Sequence, residues 1–267
     1  MRKLKEFVTD FGLPRVIIFL FLMFLFVAAP FVGVRIDTSI SDVLTRFGQN
    51  GILVLALVPM VQSGTGLNFG LPVGIIAGLL GGTLAMQFHL TGWLGFFGAI
   101  AISMPFAIVF GWLYGKLLNR VKGDEMTIAM YVGFSMVTFF SILWLLLPYS
   151  NPTMVWGYAG QGLRTTITLD NYWGHILNDF LAIRSGNTFN VPTGMILFVF
   201  FCAFLVYLFF RSKTGTAMTA VGSNPDFARA GGVSVDRMRT ISVTVSTMLG
   251  AVGILASQQS SGFIPLL

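Results

Sequence analysis

The residues best suited to polar chemistry lie in one short stretch between apolar runs. Gln62, Ser63, Thr65 and Asn68 are separated by Gly64 and Gly66 and followed by Phe69. Amides and hydroxyls beside an aromatic ring suit a neutral, hydrogen-bonding ligand, because hydroxyls meet amides and rings meet rings. Groups for bond-breaking chemistry are missing. His89, His175 and Cys202 are far apart in sequence, and no H-E-x-x-H occurs, so there is no metal-ligand spacing. No G-x-x-x-x-G-K-S/T occurs either, which leaves no recognisable ATP-binding loop. Serines within apolar runs more often bond a carbonyl one turn back than act as nucleophiles.

Composition says which solvent these residues meet. Hydrophobic residues make up 55% of the 267 and charged residues only 10%, with mean hydropathy +0.83. A soluble domain carries roughly 25% charge. Residues 47–115, 126–163, 185–210 and 240–267 contain no Asp, Glu, Lys or Arg. A charge at the centre of a span costs about 2.5–3.5 kcal/mol on insertion scales, so such gaps are the expected mark of membrane crossings. The expected fold is an all-α polytopic membrane protein, a helical bundle with a helix broken near the midplane.

The net charge of +6 is orientation information and not a nucleic-acid surface. Arg2, Lys3, Lys5, Arg15, Lys116, Arg120, Lys122, Arg211, Lys213, Arg229, Arg237 and Arg239 fall in segments that alternate topology puts on one side. Arg35, Arg46, Arg164 and Arg184 fall on the other. The first side is read as the cytoplasm, with the N-terminus inside and the chain in a bacterial-type inner membrane.

Residues 1–15 read as a basic leader and 16–267 as the membrane domain. Seven crossings are expected: 16–34, 51–61, 69–88, 94–115, 126–147, 193–210 and 241–256. The second, only eleven residues long, is too short to span alone. Residues 35–49 read as an outer connection with a short interfacial helix capped by Ser39 or Ser41. The uncharged stretch 62–68 reads as broken backbone inside the membrane, tolerated where protein or a watery cavity satisfies it. Gly70, Gly74, Gly78 and Gly82 share one helix face and let another backbone approach. Ser242, Ser246 and Gly250 form a similar face. In the outer loop 149–192, Leu169, Tyr172, Trp173, Ile176, Leu177, Phe180 and Leu181 predict one side of an amphipathic helix capped by Thr168.

The basic loop 211–239 carries a short helix in its middle. Asn224 supplies the cap oxygen, Pro225 sits where a missing N–H costs nothing, and Asp226 favours the positive end. Gly231 and Gly232 stop it. So short a helix does not stand alone, which suggests a soluble partner that pushes on it. Ionisable groups at depth are missing too, which weakens a proton-coupled carrier. Energy borrowed from a partner and delivered to this loop is the simplest alternative.

Residues 219–235, TAVGSNPDFARAGGVSV, resemble the cytoplasmic loop of ATP-binding-cassette importer permeases, in the branch for simple sugars, nucleosides and branched-chain amino acids. The family pattern runs roughly A-V-G-x-N-P-x-x-A-x-x-x-G-I-x-V, and Val233 stands for the usual Ile. Residues 64–74, GTGLNFGLPVG, resemble a stretch near the translocation path of sugar permeases, with Asn68 where an acid is common; nucleoside-type members have an asparagine version. Residues 123–130 resemble an N-E stretch of the nucleoside-type branch, with Asp124 for Asn.

The resemblance implies a short coupling helix shaped by Gly222, Asn224, Pro225, Phe227, Ala228 and Gly232 and seated in an ATPase groove. It implies a substrate pathway near Gln62, Ser63, Gly66, Asn68 and Phe69. It implies no catalysis or cofactor in this chain, with ATP and magnesium bound by the partner subunit. Implied partners are ATP-binding-cassette ATPase subunits, a second permease copy or homologue and an extracytoplasmic substrate-binding protein, besides membrane lipid. Members have about ten crossings, which implies further C-terminal spans. A simple sugar or nucleoside is the expected cargo; a branched-chain amino acid, or a self-contained carrier or channel, remains open.

Overall fold

The computed structural model describes residues 12–155, 162–185 and 189–265, so most of the expected leader lies outside the described residues. Apolar runs became helices. They are α1 Leu13–Ala28, continued by a 3-10 turn at Ala29–Val32, α2 Ile36–Leu55, α3 Val58–Gln62, α4 Leu71–Gln87, α5 Gly92–Arg120, α6 Glu125–Leu146, α7 Ile176–Asp179, α8 Thr193–Arg211, α9 Lys213–Ser223, α10 Pro225–Ala230 and α11 Val235–Ser261. Four three-residue strands, β1 Thr166–Thr168, β2 Ile183–Ser185, β3 Phe189–Val191 and β4 Phe263–Pro265, pair antiparallel as β1 with β4 and β2 with β3. Among the described residues, six stretches are long and apolar enough to cross a membrane, counting Ile36–Gln62 as one, and α4 is a shorter apolar helix. The chain is an all-α polytopic membrane protein.

The second crossing departs from expectation. It starts at Ile36, not residue 51, so the expected outer connection is its first half. Asp37 sits in the first turn, where a negative charge suits the helix dipole. Thr45 and Asn50 satisfy their side chains on the carbonyls of Ser41 and Arg46 one turn back. Local polarity hid a helix 27 residues long with α3 included.

The core centres on α11. Half of its spanning window is buried, against 22–33% for α5, α6 and α8 and none for α1. It packs against α5, α4 and α2. The four-residue glycine ladder explains the α4 contact. A Cβ on Gly74 would lie 2.6 Å from the Thr247 carbonyl oxygen, and one on Gly78 would lie 2.7 Å from that of Ala251. The two backbones touch as a small-residue face permits.

The outer segment corrects a second expectation. Only Ile176–Asp179 of the predicted 169–181 helix is helical, and Thr168 is in β1, not a cap. His175 and Leu181 adopt positive φ, 57° and 53°, which interrupts any longer helix. Backbone donors go instead to the end of α11: Leu169 N–H donates to Gly262 O at 2.8 Å and His175 N–H to Gln259 O at 2.8 Å. Leu169, Tyr172, Trp173 and Leu177 are buried and cap the bundle's own core, while Phe180 and Leu181 of the expected face are exposed.

Candidate functional site

Helix α3 ends at Gln62, and α4 begins at Leu71 after an irregular stretch. Gly64 and Gly66 turn the chain with φ of 69° and 94°, a region glycine enters without steric cost. The interruption is held by buried side chains. Ser63 Oγ donates to Met60 O at 3.0 Å and lies 2.8 Å from both Thr65 Oγ1 and Ser242 Oγ. Asn68 Nδ2 donates to Ser246 Oγ at 2.7 Å, and Ser246 Oγ donates to Ala56 O. Tyr114 OH, from α5, donates to Asn68 Oδ1 at 3.4 Å. Buried hydroxyls and amides left unpaired cost about 1–3 kcal/mol each, so a closed network of this kind fixes the break firmly. It sits level with Ser242 and Ser246, in the half of α11 nearer the basic loop.

The five residues expected to line a pathway therefore share one segment but face two ways. Ser63 is fully buried and Asn68 is 4% exposed. Gln62, Gly66 and Phe69 are exposed, next to exposed Val61 and Leu67. Tyr114 was not singled out in the sequence, and nothing local marks it. Ser242 and Ser246 were legible as a small face, but not as partners of the break.

The basic loop holds two helices. The first, α9, reads as turn in sequence because of Gly215, Gly222 and four hydroxyl residues. It forms because Ser212 caps it, accepting from Gly215 N–H at 3.2 Å, and because Met218 and Val221 are buried. The second, α10, has the expected bounds. Asn224 Oδ1 accepts from the N–H groups of Asp226 and Phe227 at 3.1 and 2.9 Å. At its end Gly232, with φ 83°, lets Val233 N–H reach Ala228 O at 2.9 Å, a glycine-terminated helix stop.

Faces of α10 are distinct. Ala228 is buried with Val221 of α9 and Val235 of α11, so it packs on its own chain. Phe227 points away, 74% exposed, beside exposed Pro225 and Asp226. Gly222 lies against the backbone of Gln62 and Gly64, which brings the two candidate clusters into contact.

The loop end is tied into the bundle. Asn119 Nδ2 donates to Asp236 O and Thr240 Oγ1 at 2.7 and 2.9 Å. Lys122 pairs with Asp236 at 2.7 Å and Arg239 with Glu125 at 3.5 Å. Among the described residues, no group of three His, Cys, Asp or Glu is placed to hold a metal.

A bundle of apolar helices with an irregular stretch between α3 and α4 and a capped short helix at its basic end defines the class of all-α polytopic membrane proteins. Residues 39–265 match the sequence profile described as the permease component of the branched-chain amino acid transport system. The chain belongs to that family. It is 26% identical over 199 residues to a putative glucose ABC transporter permease of Haloferax volcanii, covering 73% of this chain and 55% of the relative. It is 25% identical over 166 residues to an uncharacterized protein of Mycoplasma pneumoniae, covering 57% and 45%. The chain thus spans about half the length of these curated relatives. No solved structure gives a significant match. Helix α1 lies before the matched region.

Proposed function

We propose that this chain is a membrane-spanning permease subunit of an ATP-driven importer, with α10 as the coupling helix. The observation that carries the reading is the exposed Phe227 on a rigidly capped helix at the basic end. A bare aromatic on a helix with one face pinned to its own chain is the form of an interface anchor. Hydrolysis belongs to a separate ATPase subunit that binds ATP and magnesium. A second permease copy or homologue and an extracytoplasmic binding protein complete the assembly.

The cargo is a small neutral polar solute, a simple sugar or nucleoside. The exposed amide of Gln62 and ring of Phe69 on a charge-free segment support this, as does the relative described as a putative glucose permease. The family description favours a second reading, a branched-chain amino acid; it would need counter-charges or free helix ends at the path.

The test is uptake into vesicles containing the complete permease with and without the cognate ATPase. ATP-dependent accumulation of a labelled sugar or nucleoside is expected only with the ATPase; transport without it would favour a self-contained carrier. Phe227→Ala should leave membrane level unchanged and weaken ATPase capture by roughly tenfold or more, as for a hot-spot aromatic.

A further inference from the structure

Gly222 is the second-last residue of α9, and a glycine in a helix costs roughly 1 kcal/mol against alanine. A residue that unfavourable has a packing reason here. A Cβ at this position would lie 2.1 Å from the Gln62 carbonyl oxygen, 2.9 Å from its carbon and 3.0 Å from Gly64 N. All three are backbone atoms, which cannot step aside as a side chain does. The approach is mutual: a Cβ on Gly64 would lie 3.1 Å from Gly222 Cα, and Gly64 also holds φ 69°. Two chain segments nearly 160 residues apart therefore meet main chain to main chain, at the site where α3 stops.

Rigid contacts continue on both sides of this joint. Toward the loop, Val221, the neighbour of Gly222, is buried against Ala228 of α10. Toward the bundle, Ser63, between the two contacted residues, bonds Ser242 of α11, and Asn68 bonds Ser246. Packed contacts of this kind move as units. Resting on the reading of α10 as the coupling helix, the geometry points to the Gly222–Gly64 contact as the joint that transmits its displacement directly to the broken segment. The exposed path residues Gln62, Gly66 and Phe69 then move with α9, and not only through the long helices α8 and α11. Gly222 is in this sense a positioning residue: it reaches the solute-facing segment through the backbone of Gln62 and Gly64.

The experiment uses the full permease assembled with its cognate ATPase in membranes. Leu67, 50% exposed on the broken segment, is replaced by cysteine in a Cys202→Ala background, and its maleimide labelling is compared in nucleotide-free and vanadate-trapped complexes. In the otherwise unaltered chain the labelling rate should differ between the two states. Adding Gly222→Ala should abolish that difference and reduce uptake by roughly tenfold, while ATPase capture stays within about twofold. Should Gly222→Ala fail to accumulate, Val221→Ala loosens the packing of α9 on α10 that feeds this joint without inserting an atom, and is read by the same measurements. Nucleotide-dependent labelling and uptake that persist in the variant overturn the joint while leaving the coupling helix in place. Absence of ATPase capture by the unaltered chain overturns both.

Discussion

Asn68 shows how far a single residue type can be read. An uncharged amide in a glycine-rich stretch stood out in the sequence as a candidate pathway residue, and in the structure it is buried in a hydrogen-bond network. Its direction was not legible, because its partner Ser246 is 178 residues away. With Nδ2 on Ser246 and Oδ1 near Tyr114, the side chain stitches the break to α11 and α5. Replacing Asn68 with Leu removes those bonds and leaves a buried phenol without its acceptor, at about 1–3 kcal/mol. The melting temperature of the detergent-solubilised protein should fall, and abundance with it. Phe69, 37% exposed, behaves oppositely: Phe69→Ala should keep level and melting temperature and alter uptake or its selectivity. A Phe69→Ala variant that melts as early as Asn68→Leu would place both residues in the scaffold.

At the scale of elements, hydropathy located the spans well where the sequence was purely apolar. It failed where tertiary partners decide. Residues 36–50 of α2 include Asp37, Asp42, Arg46, Gln49 and Asn50, and read as a connection until their bonds within the helix and to Ser260 are seen. In the outer segment, Leu169, Tyr172, Trp173 and Leu177 of the expected apolar face are buried, while Phe180 and Leu181 are exposed. The segment's shape was missed because the backbone donors that a helix would use go to Gln259 and Gly262. The small-residue ladder, by contrast, carried its own meaning, since four-residue spacing fixes a face whatever packs there. Gly78→Leu should therefore destabilise strongly. Its Cβ would sit 2.4 Å from Ile254 Cγ2 and 2.7 Å from Ala251 O, and only the side chain can yield. Overpacking of this kind costs about 1–3 kcal/mol or more, read as a lower melting temperature in detergent. An unchanged melting temperature would mean that α4 and α11 are not in contact in the membrane.

Across the whole molecule, charge and connectivity agree on two ends. Lys116, Arg120, Lys122, Arg211, Lys213, Arg229, Arg237 and Arg239 gather where α5, α8 and α11 meet the loop helices, with cross-links such as Lys122–Asp236 and Arg239–Glu125 holding that end together. The outer segment, with Arg164 and Arg184, is tied to the opposite end of α11 through Gln259, Ser260 and Gly262. Lys and Arg resist translocation, so we propose that the crowded end faces the cytoplasm. Sidedness tests this at two positions. The side chain of Asp226 on α10 is 90% exposed, and that of Asp179 at the far end is 57% exposed. Each becomes cysteine in turn in a Cys202→Ala chain; Cys202 itself is buried and free. A membrane-impermeant maleimide added to intact cells should modify Asp179→Cys at once and Asp226→Cys only after permeabilisation. Labelling in the reverse order would put α10 where no ATP is hydrolysed, and the partner-driven mechanism would fail with it.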